Sequence, residues 1–562
     1  MTAPGTPARL PGRALSLAAT GAVLVGMELR LFAYLHRSPL YVDEAMLALN
    51  VARRSFAGLL HSLDYDQSGP VLYLWILKLA SLLGGMGELA LRFPLLLAAL
   101  ALLCCYRPLA RALAGEEAGL LALVLLAMSV SLVNYSADLK QYGSDALVTA
   151  VLCLLALRVR RAPESRAAWL WLTVVGTIAL GVSMPAVFVL PAVIAALAAD
   201  RRLRSTPGAI RRSLVASLVW LAAFGLLYVT VYRAAMANPY LHRFWEGALL
   251  TPGAPDLRLR AARAMVGLMV QTPFRAGAVA QKVLVVGLLG GMLSIWRRKG
   301  LPEALLVGVP FLMALLASML GKYPMYDRFL LFLAPLSLIA LSALVFEGVR
   351  RLGSRVTGVA ALVLPALCLA AYLPRVMREA DRHMVREEGR ELVGLIQREA
   401  GNAPVYVMAS GLPAWVWYTT DWRHPDESRL AWFAGIARAD GPSAHNGPSR
   451  GHPVPEAEGV DLIDRHNGLT ALIGVRTGIQ FTTDLGPRDT EPDSGWAVHE
   501  VRRLAAAAAP YGWVFGAHAE DREIDRLRAA LREAGAVTVS MMTEGRAIAL
   551  RVRFPGVRRA EP

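Results

Sequence analysis

Long apolar runs separated by short arginine clusters fix the fold class of this chain before any motif is considered. The runs fall at 14–35, 89–107, 117–134, 144–158, 168–183, 185–199, 213–234, 279–296, 303–320, 328–347 and 355–373. A helix of about 20 apolar residues crosses a bilayer core, so the runs predict about eleven transmembrane helices. Basic clusters punctuate them: Arg107 and Arg111; Arg158, Arg160 and Arg161; Arg201, Arg202, Arg204, Arg211 and Arg212; Arg297, Arg298 and Lys299; Arg350, Arg351 and Arg355. A further run at 71–83 is shorter, contains Lys78 and ends at Gly84-Gly85. Read as a helix lying at the interface, it leaves every basic cluster on one side of the membrane. Read as a span, it scatters them. The positive-inside rule selects the first reading, with the N-terminus cytoplasmic and the C-terminal segment outside.

Composition agrees. Hydrophobic residues make up 55% of the 562 and charged residues only 18%, against about 25% charged in a soluble domain. The formal charge of +16 is accounted for by the clusters between spans, so nucleic-acid binding is set aside. The four cysteines, Cys104, Cys105, Cys153 and Cys368, lie within apolar runs and form neither a disulfide framework nor a metal motif. Arg9 and Arg13 precede the first run as in a signal peptide. Glu28 and Arg30 stand where small cleavage-site residues belong, so the first run reads as an uncleaved span.

From residue 375 the composition becomes that of a soluble domain, giving a membrane domain at 1–375 and an α/β domain at 376–562. Helices are expected at 388–400, 496–509 and 521–534, and strands at 405–409, 512–517, 537–542 and 547–554. Residues 438–458 are rich in Gly, Pro and polar side chains and read as a loop. No phosphate-binding glycine loop or nucleophile elbow is present, so catalysis is not assigned to this domain.

The predicted topology gathers ionisable residues on the outer face. Asp43 and Glu44 open a helical stretch after the first span, with Asp64, Asp66 and Glu88 following. Acids beside a membrane are costly to bury and point to function, although an isolated pair also suits a solvated loop. The third span delivers YSADLKQYGSD, carrying Asp138, Lys140, Tyr142 and Asp145. Asp138 and Asp145 are seven apart and share a face if the helix persists. The same group suits a polar helix cap, and Lys140 a snorkelling anchor. Past the ninth span, Lys322, Tyr323 and Arg328 lie together. Cations there run against the topology rule, and the planar fork of arginine suits phosphate. Gln67 and Ser68 precede a rigid Gly-Pro turn where polar groups can meet a sugar or phosphate.

A carboxylate base, cations at headgroup depth and no nucleotide motif suit sugar transfer from a lipid phosphate. A phosphate leaving group needs electrostatic stabilisation and no general acid, whereas a glycosidase needs a second carboxylate as acid. A polyprenyl-linked lipid or glycan transporter without transfer chemistry is the alternative. It expects charges along a path through the spans.

The motifs Asp43–Glu44, QSGPVLYLW at 67–75, ELALRFP at 88–94, YSADLKQY at 135–142 and YPMYDRFLLFLAP at 323–335 together resemble the membrane glycosyltransferases of the GT-C fold. Within these the chain is similar to bacterial relatives of the dolichyl-phosphate-mannose protein mannosyltransferases and lipid A core sugar transferases, over roughly 14–373. The resemblance implies an all-α polytopic GT-C domain with interfacial helices, in the bacterial cytoplasmic membrane. It also implies a polyprenyl-phosphate sugar donor, a lipid, glycan or protein acceptor, and inversion at the anomeric carbon. By the same resemblance Asp43 acts as the base or orients the acceptor, with Glu44 in support, Asp138 and Lys140 stand where the family has an acidic and a basic residue, and Arg328 holds the donor phosphate. Ser68-Gly69 departs from the charged or His residue that many members have there. Some members use a divalent metal, which the acids here are compatible with.

Overall fold

The computed structural model describes residues 12–270, 278–384, 389–439, 463–474, 496–508, 510–518 and 521–555. The membrane domain begins with α1 (Gly12–Leu35), α2 (Val42–Arg53), α3 (Val71–Gly84), α4 (Glu88–Ala114), α5 (Glu116–Ala127), α6 (Val130–Asn134), α7 (Tyr142–Arg161), α8 (Arg166–Val182) and α9 (Ala186–Ala199). Later long helices are Ala209–Leu227, Ala278–Lys299, Leu301–Met319, Ala334–Arg350 and Ser354–Met384. Among the described residues, seven helices are long and apolar enough to cross a membrane, and α3, α8 and α9 are shorter apolar helices. This is a multi-pass membrane protein.

Two expectations fail in an informative way. The third span is not one helix. It breaks at Met128–Ser129 into α5 and α6, and a non-helical segment at 135–141 then separates α6 from α7. Asp138 and Asp145 therefore do not share a continuous helix face. The break is made by a residue from another helix. Arg30, fully buried in α1, donates from Nη1 to Ala127 O at 3.2 Å and from Nη2 to Leu126 O at 3.2 Å. The last carbonyls of a helix lack partners within it, and in an apolar setting a guanidinium with several donors satisfies them at once. Every residue of α5 from Ala118 to Ala127 is buried, as expected of a helix apolar all round. Elsewhere small residues bring helices into close contact. A Cβ on Gly291 would lie 2.0 Å from Ala340 O, so glycine is required there for the helix to pack.

At about 21 Å, the 14-residue α3 is short for a bilayer core. Its Lys78, which marks it out in the sequence, caps α2: Nζ donates to Val51 O at 2.9 Å and Ala52 O at 3.0 Å. The arginines of the expected cytoplasmic clusters are paired with acids, Arg160 with Asp200 (2.7 Å) and Glu303 (2.8 Å), and Arg107 with Glu116 (2.8 Å).

The C-terminal domain is a six-stranded mixed sheet ordered β2-β3-β1-β4-β6-β5. Its strands are β1 (Val405–Val407), β2 (Ile463–His466), β3 (Leu469–Ile473), β4 (Tyr511–Gly516), β5 (Val537–Glu544) and β6 (Ala547–Arg553). The hairpin β2–β3 and the helices Leu412–Thr419 and Glu427–Ala439 were not anticipated; the expected loop at 438–458 lies, from 440 on, outside the described residues. Alternation along the strands gives the sheet two apolar faces. Tyr406, Val514, Ile548 and Leu550 meet the helices Trp496–Ala507 and Asp521–Glu533. Val405, Val407, Trp513 and Phe515 belong to a core that also includes Leu47 and Val51 of α2, Leu74 of α3 and Leu91 of α4. The helix Ser354–Met384 runs through residue 375.

Arg30→Met removes the side-chain donors from the Leu126 and Ala127 carbonyls and replaces a buried guanidinium. Unsatisfied buried groups cost roughly 1–3 kcal/mol each, so thermal unfolding in detergent should shift clearly downward. An unchanged midpoint would show that α5 ends without Arg30.

Candidate active site

Four chain segments meet at one end of the helical bundle. The first is the N-terminal turn of α2. Asp43 and Glu44 sit in that turn, where carboxylates complement the positive helix end, yet they do different work. Glu44 is buried at 3% exposure. Its Oε2 accepts from Arg92 Nη2 at 2.7 Å and from Tyr41 N at 2.9 Å, and its Oε1 from Arg92 Nε at 3.2 Å and from Leu139 N. Arg92, itself 2% exposed, also donates to Ser38 O at 2.6 Å and Pro39 O at 3.3 Å. Both oxygens of Glu44 are thus engaged by α4, by the entry to α2 and by the 135–141 segment.

Asp43 points the other way. Its Oδ2 lies 3.3 Å from Arg328 Nη2. Arg328 comes from the 3₁₀ turn Asp327–Leu333, and its guanidinium carbon lies 5.5 Å from the Trp245 ring centre and 5.7 Å from that of Tyr142. Aromatic faces orient a guanidinium while leaving its hydrogen-bond donors available, and Arg328 Nε is buried with no hydrogen-bond partner.

The 135–141 segment brings a second cation. Lys140 Nζ donates to Gln67 Oε1 at 2.8 Å. Burial pushes the Lys140 ammonium below the ordinary lysine range, opposed chiefly by Asp43, and Arg328 pushes the same way as burial. Lys140, Asp43 and Arg328 therefore share one electrostatic environment, and Asp138 acts on Lys140 as well.

The remaining expected residues are distributed as follows. Tyr142 is buried against Tyr135 and Phe329, at ring separations of 5.4 and 5.5 Å. Tyr323 donates its hydroxyl to Phe329 O at 2.6 Å, which braces the turn carrying Arg328. Lys322 is exposed on the preceding turn. Asp145 is buried in the first turn of α7 with Oδ1 unpartnered. Ser68 lines a cavity with Gln67 and Asp66. Sequence reasoning did not assign Arg92 or Trp245 to the site. An arginine near the start of the apolar α4, far from Arg107 and Arg111 at its other end, was the available signal, since such a charge requires a partner. Among the described residues, no three His, Cys, Asp or Glu side chains gather where they could hold a metal ion. With Asp43 facing a guanidinium, the donor set does not fit one.

The model of the dolichyl-phosphate-mannose-protein mannosyltransferase family matches residues 68–231, a stretch that contains Ser68, Asp138, Lys140, Tyr142 and Asp145. The crystal structure of ArnT from Cupriavidus metallidurans bound to undecaprenyl phosphate aligns over 95% of this chain and 97% of its own, at 13% identity and a TM-score of 0.51. The chain has the GT-C fold of that structure, and its 68–231 stretch is similar to the protein-mannosyltransferase family. The Archaeoglobus fulgidus oligosaccharyltransferase complex with Zn and sulfate aligns over 88% of this chain and 67% of its own, at 12% identity and a TM-score of 0.46. No curated protein sequence matches the chain. Asp43, Glu44 and Arg328 lie outside the stretch matched by the family model, and in this chain it is the tertiary fold that brings them to Lys140.

Removing one member of a buried ion pair leaves the other charge uncompensated, at roughly 3–5 kcal/mol. Glu44→Ala should therefore unfold well below the parent in detergent melts, and the double variant Glu44→Leu/Arg92→Met should recover much of the loss. A single variant as stable as the parent would remove Glu44 from its positioning role.

Proposed function

We propose that this glycosyltransferase moves a sugar from a polyprenyl-phosphate donor to an acceptor hydroxyl on the outer face of the bacterial cytoplasmic membrane, with inversion at the anomeric carbon. The observation that carries this reading is the placement of Asp43 against Arg328, beside Lys140. It supplies one carboxylate and two cations at the end of the bundle where the 41–44, 138–142 and 326–329 segments meet.

In this mechanism Asp43 takes the proton of the acceptor hydroxyl. The acceptor oxygen attacks the anomeric carbon from the face opposite the phosphate. The bond from that carbon to the phosphate oxygen breaks, and its electron pair leaves with the phosphate. Arg328 offers two parallel donors to the phosphate oxygens, and Lys140 adds a point charge. The leaving group is a weakly basic anion, so stabilising its charge replaces protonation. Asp138 helps orient the acceptor. Glu44 positions Asp43 and the 135–141 segment, and Trp245 and Tyr142 hold Arg328. The ArnT structure bound to undecaprenyl phosphate shows that a protein of this fold binds such a lipid. The acceptor is a lipid, glycan or protein, and the C-terminal domain, packed on α2, is placed to select it.

Asp43 and a donor phosphate compete for the same guanidinium. Asp43→Asn should abolish transfer from a synthetic polyprenyl-phosphate sugar while leaving donor affinity equal or higher. Arg328→Ala should weaken donor binding about tenfold or more. Full turnover in the first variant, or unchanged affinity in the second, would refute the assigned roles.

Phosphate binding favours protonated Lys140. Because burial lowers its pKa, donor affinity should fall as pH rises, beginning below the range in which an exposed lysine titrates. Lys140→Met should bind more weakly and flatten that profile. An unaltered profile would take Lys140 out of phosphate binding.

A further inference from the structure

Beside Gln67 is a cavity that the transfer mechanism leaves unused. Its polar lining includes Asp66, Gln67, Ser68 and Asn238 alongside His61, Ser62 and Tyr232, and its apolar wall includes Leu74 and Met184. We infer that this cavity holds the sugar ring of the donor, with ring hydroxyls donating to the Asp66 carboxylate. The inference rests on the donor reading above and adds where the transferred group sits and which side chains recognise it.

Three observations carry it. First, Asp66 Oδ1 accepts from Asn238 Nδ2 at 2.6 Å, whereas Oδ2 is buried with no hydrogen-bond partner. Burial raises the Asp66 carboxyl above the ordinary carboxylate range, opposed only by the Asn238 bond. A buried carboxylate oxygen without a donor is unfavourable, and a neutral polyol supplies the missing donors without adding charge. An anionic group would be repelled, which separates this cavity from the phosphate site. Second, Tyr65 and Asp66 are consecutive non-glycine residues with φ of 61° and 49°. This left-handed backbone is costly for side chains other than Asn, Asp and Gly, and such strain persists at sites where the surroundings over-determine it. The surroundings are visible: Asp64 N donates to Asn50 Oδ1 at 2.8 Å, Asn50 Nδ2 donates to Asp64 O at 3.1 Å, and Arg54 Nη2 donates to Asp64 Oδ1 at 2.9 Å. The scaffold thus fixes the backbone beside Asp66, whose carboxylate meets Asn238 on the wall of the cavity. Third, Gln67 both lines the cavity and accepts from Lys140. A phosphate at Lys140 and a sugar against Asp66 would be neighbours across a single glutamine, as the two halves of one donor must be.

The test is lipid binding to the purified protein in nanodiscs, using undecaprenyl phosphate, undecaprenyl-phosphate mannose and undecaprenyl-phosphate glucose. The parent should hold at least one sugar-bearing lipid more tightly than the bare phosphate. Asp66→Asn preserves shape and suits the left-handed backbone, so it should melt like the parent. It should erase that preference, by about tenfold, with affinity for bare undecaprenyl phosphate unchanged; Asn238→Ala should do the same. The inference is overturned if the parent shows no preference, if both variants retain it, or if Asp66→Asn raises only the acceptor KM, which would make the cavity an acceptor site. Arg328→Ala tests the donor reading separately. Its unchanged binding of bare undecaprenyl phosphate would sink the phosphate assignment whatever Asp66 does.

Discussion

Glu44 and Arg92 form a buried ion pair whose remaining hydrogen-bonding capacity is filled by backbone from other segments. Tyr41 N and Leu139 N reach the carboxylate, and Ser38 O and Pro39 O receive the guanidinium. One carboxylate thereby fixes the start of α2, the face of α4 and the 135–141 segment relative to one another. The attraction between the charges offsets the cost of removing them from water only when their other valences are satisfied, and here they are. Asp43 is the next residue in the same helical turn, so its position is inherited from that clamp. The remaining freedom of α2 is removed at its other end, where Lys78 caps Val51 and Ala52.

The membrane architecture was legible because bilayer thickness and charge asymmetry act on stretches of sequence that need no tertiary information. The short α3 and the arginine clusters between the apolar helices follow from the same two rules. The break between α5 and α6 was not legible, because 117–134 is uniformly apolar and the break depends on Arg30, a residue of another helix. In the soluble domain the strongly amphipathic helices Gly389–Glu399 and Asp521–Glu533 could be read from periodicity. The hairpin β2–β3 could not, since Ile463–His466 is a short polar edge strand with no alternation to read.

The site was legible in part for a similar reason. Arg328 stands out as a cation on the side of the membrane that the charge rule leaves poor in cations, and it lies against Asp43. Glu44 carried no mark distinguishing it from Asp43, because only packing tells which of two adjacent acids faces inward. Tyr323, grouped in the sequence with Lys322 and Arg328, bonds its hydroxyl to the Phe329 carbonyl of the turn that carries Arg328. The soluble domain was assigned by composition alone, with no hint that it completes the core around α2. Tyr418 accepts from Leu40 N at 2.6 Å, Arg390 pairs with Glu88 at 3.1 Å, and His518 packs edge-on against Tyr41 at 5.0 Å. These contacts place the soluble domain directly on the segment that carries Asp43.

The central claim is that the Arg328 guanidinium, paired with Asp43, is the docking point for a lipid phosphate. A cryo-electron microscopy structure with undecaprenyl phosphate bound tests it most directly. The account predicts the phosphate within hydrogen-bond distance of both Arg328 and Lys140, with the Asp43 carboxylate turned away and free to take a proton. A phosphate bound elsewhere, with the Asp43–Arg328 pair unbroken, would contradict it.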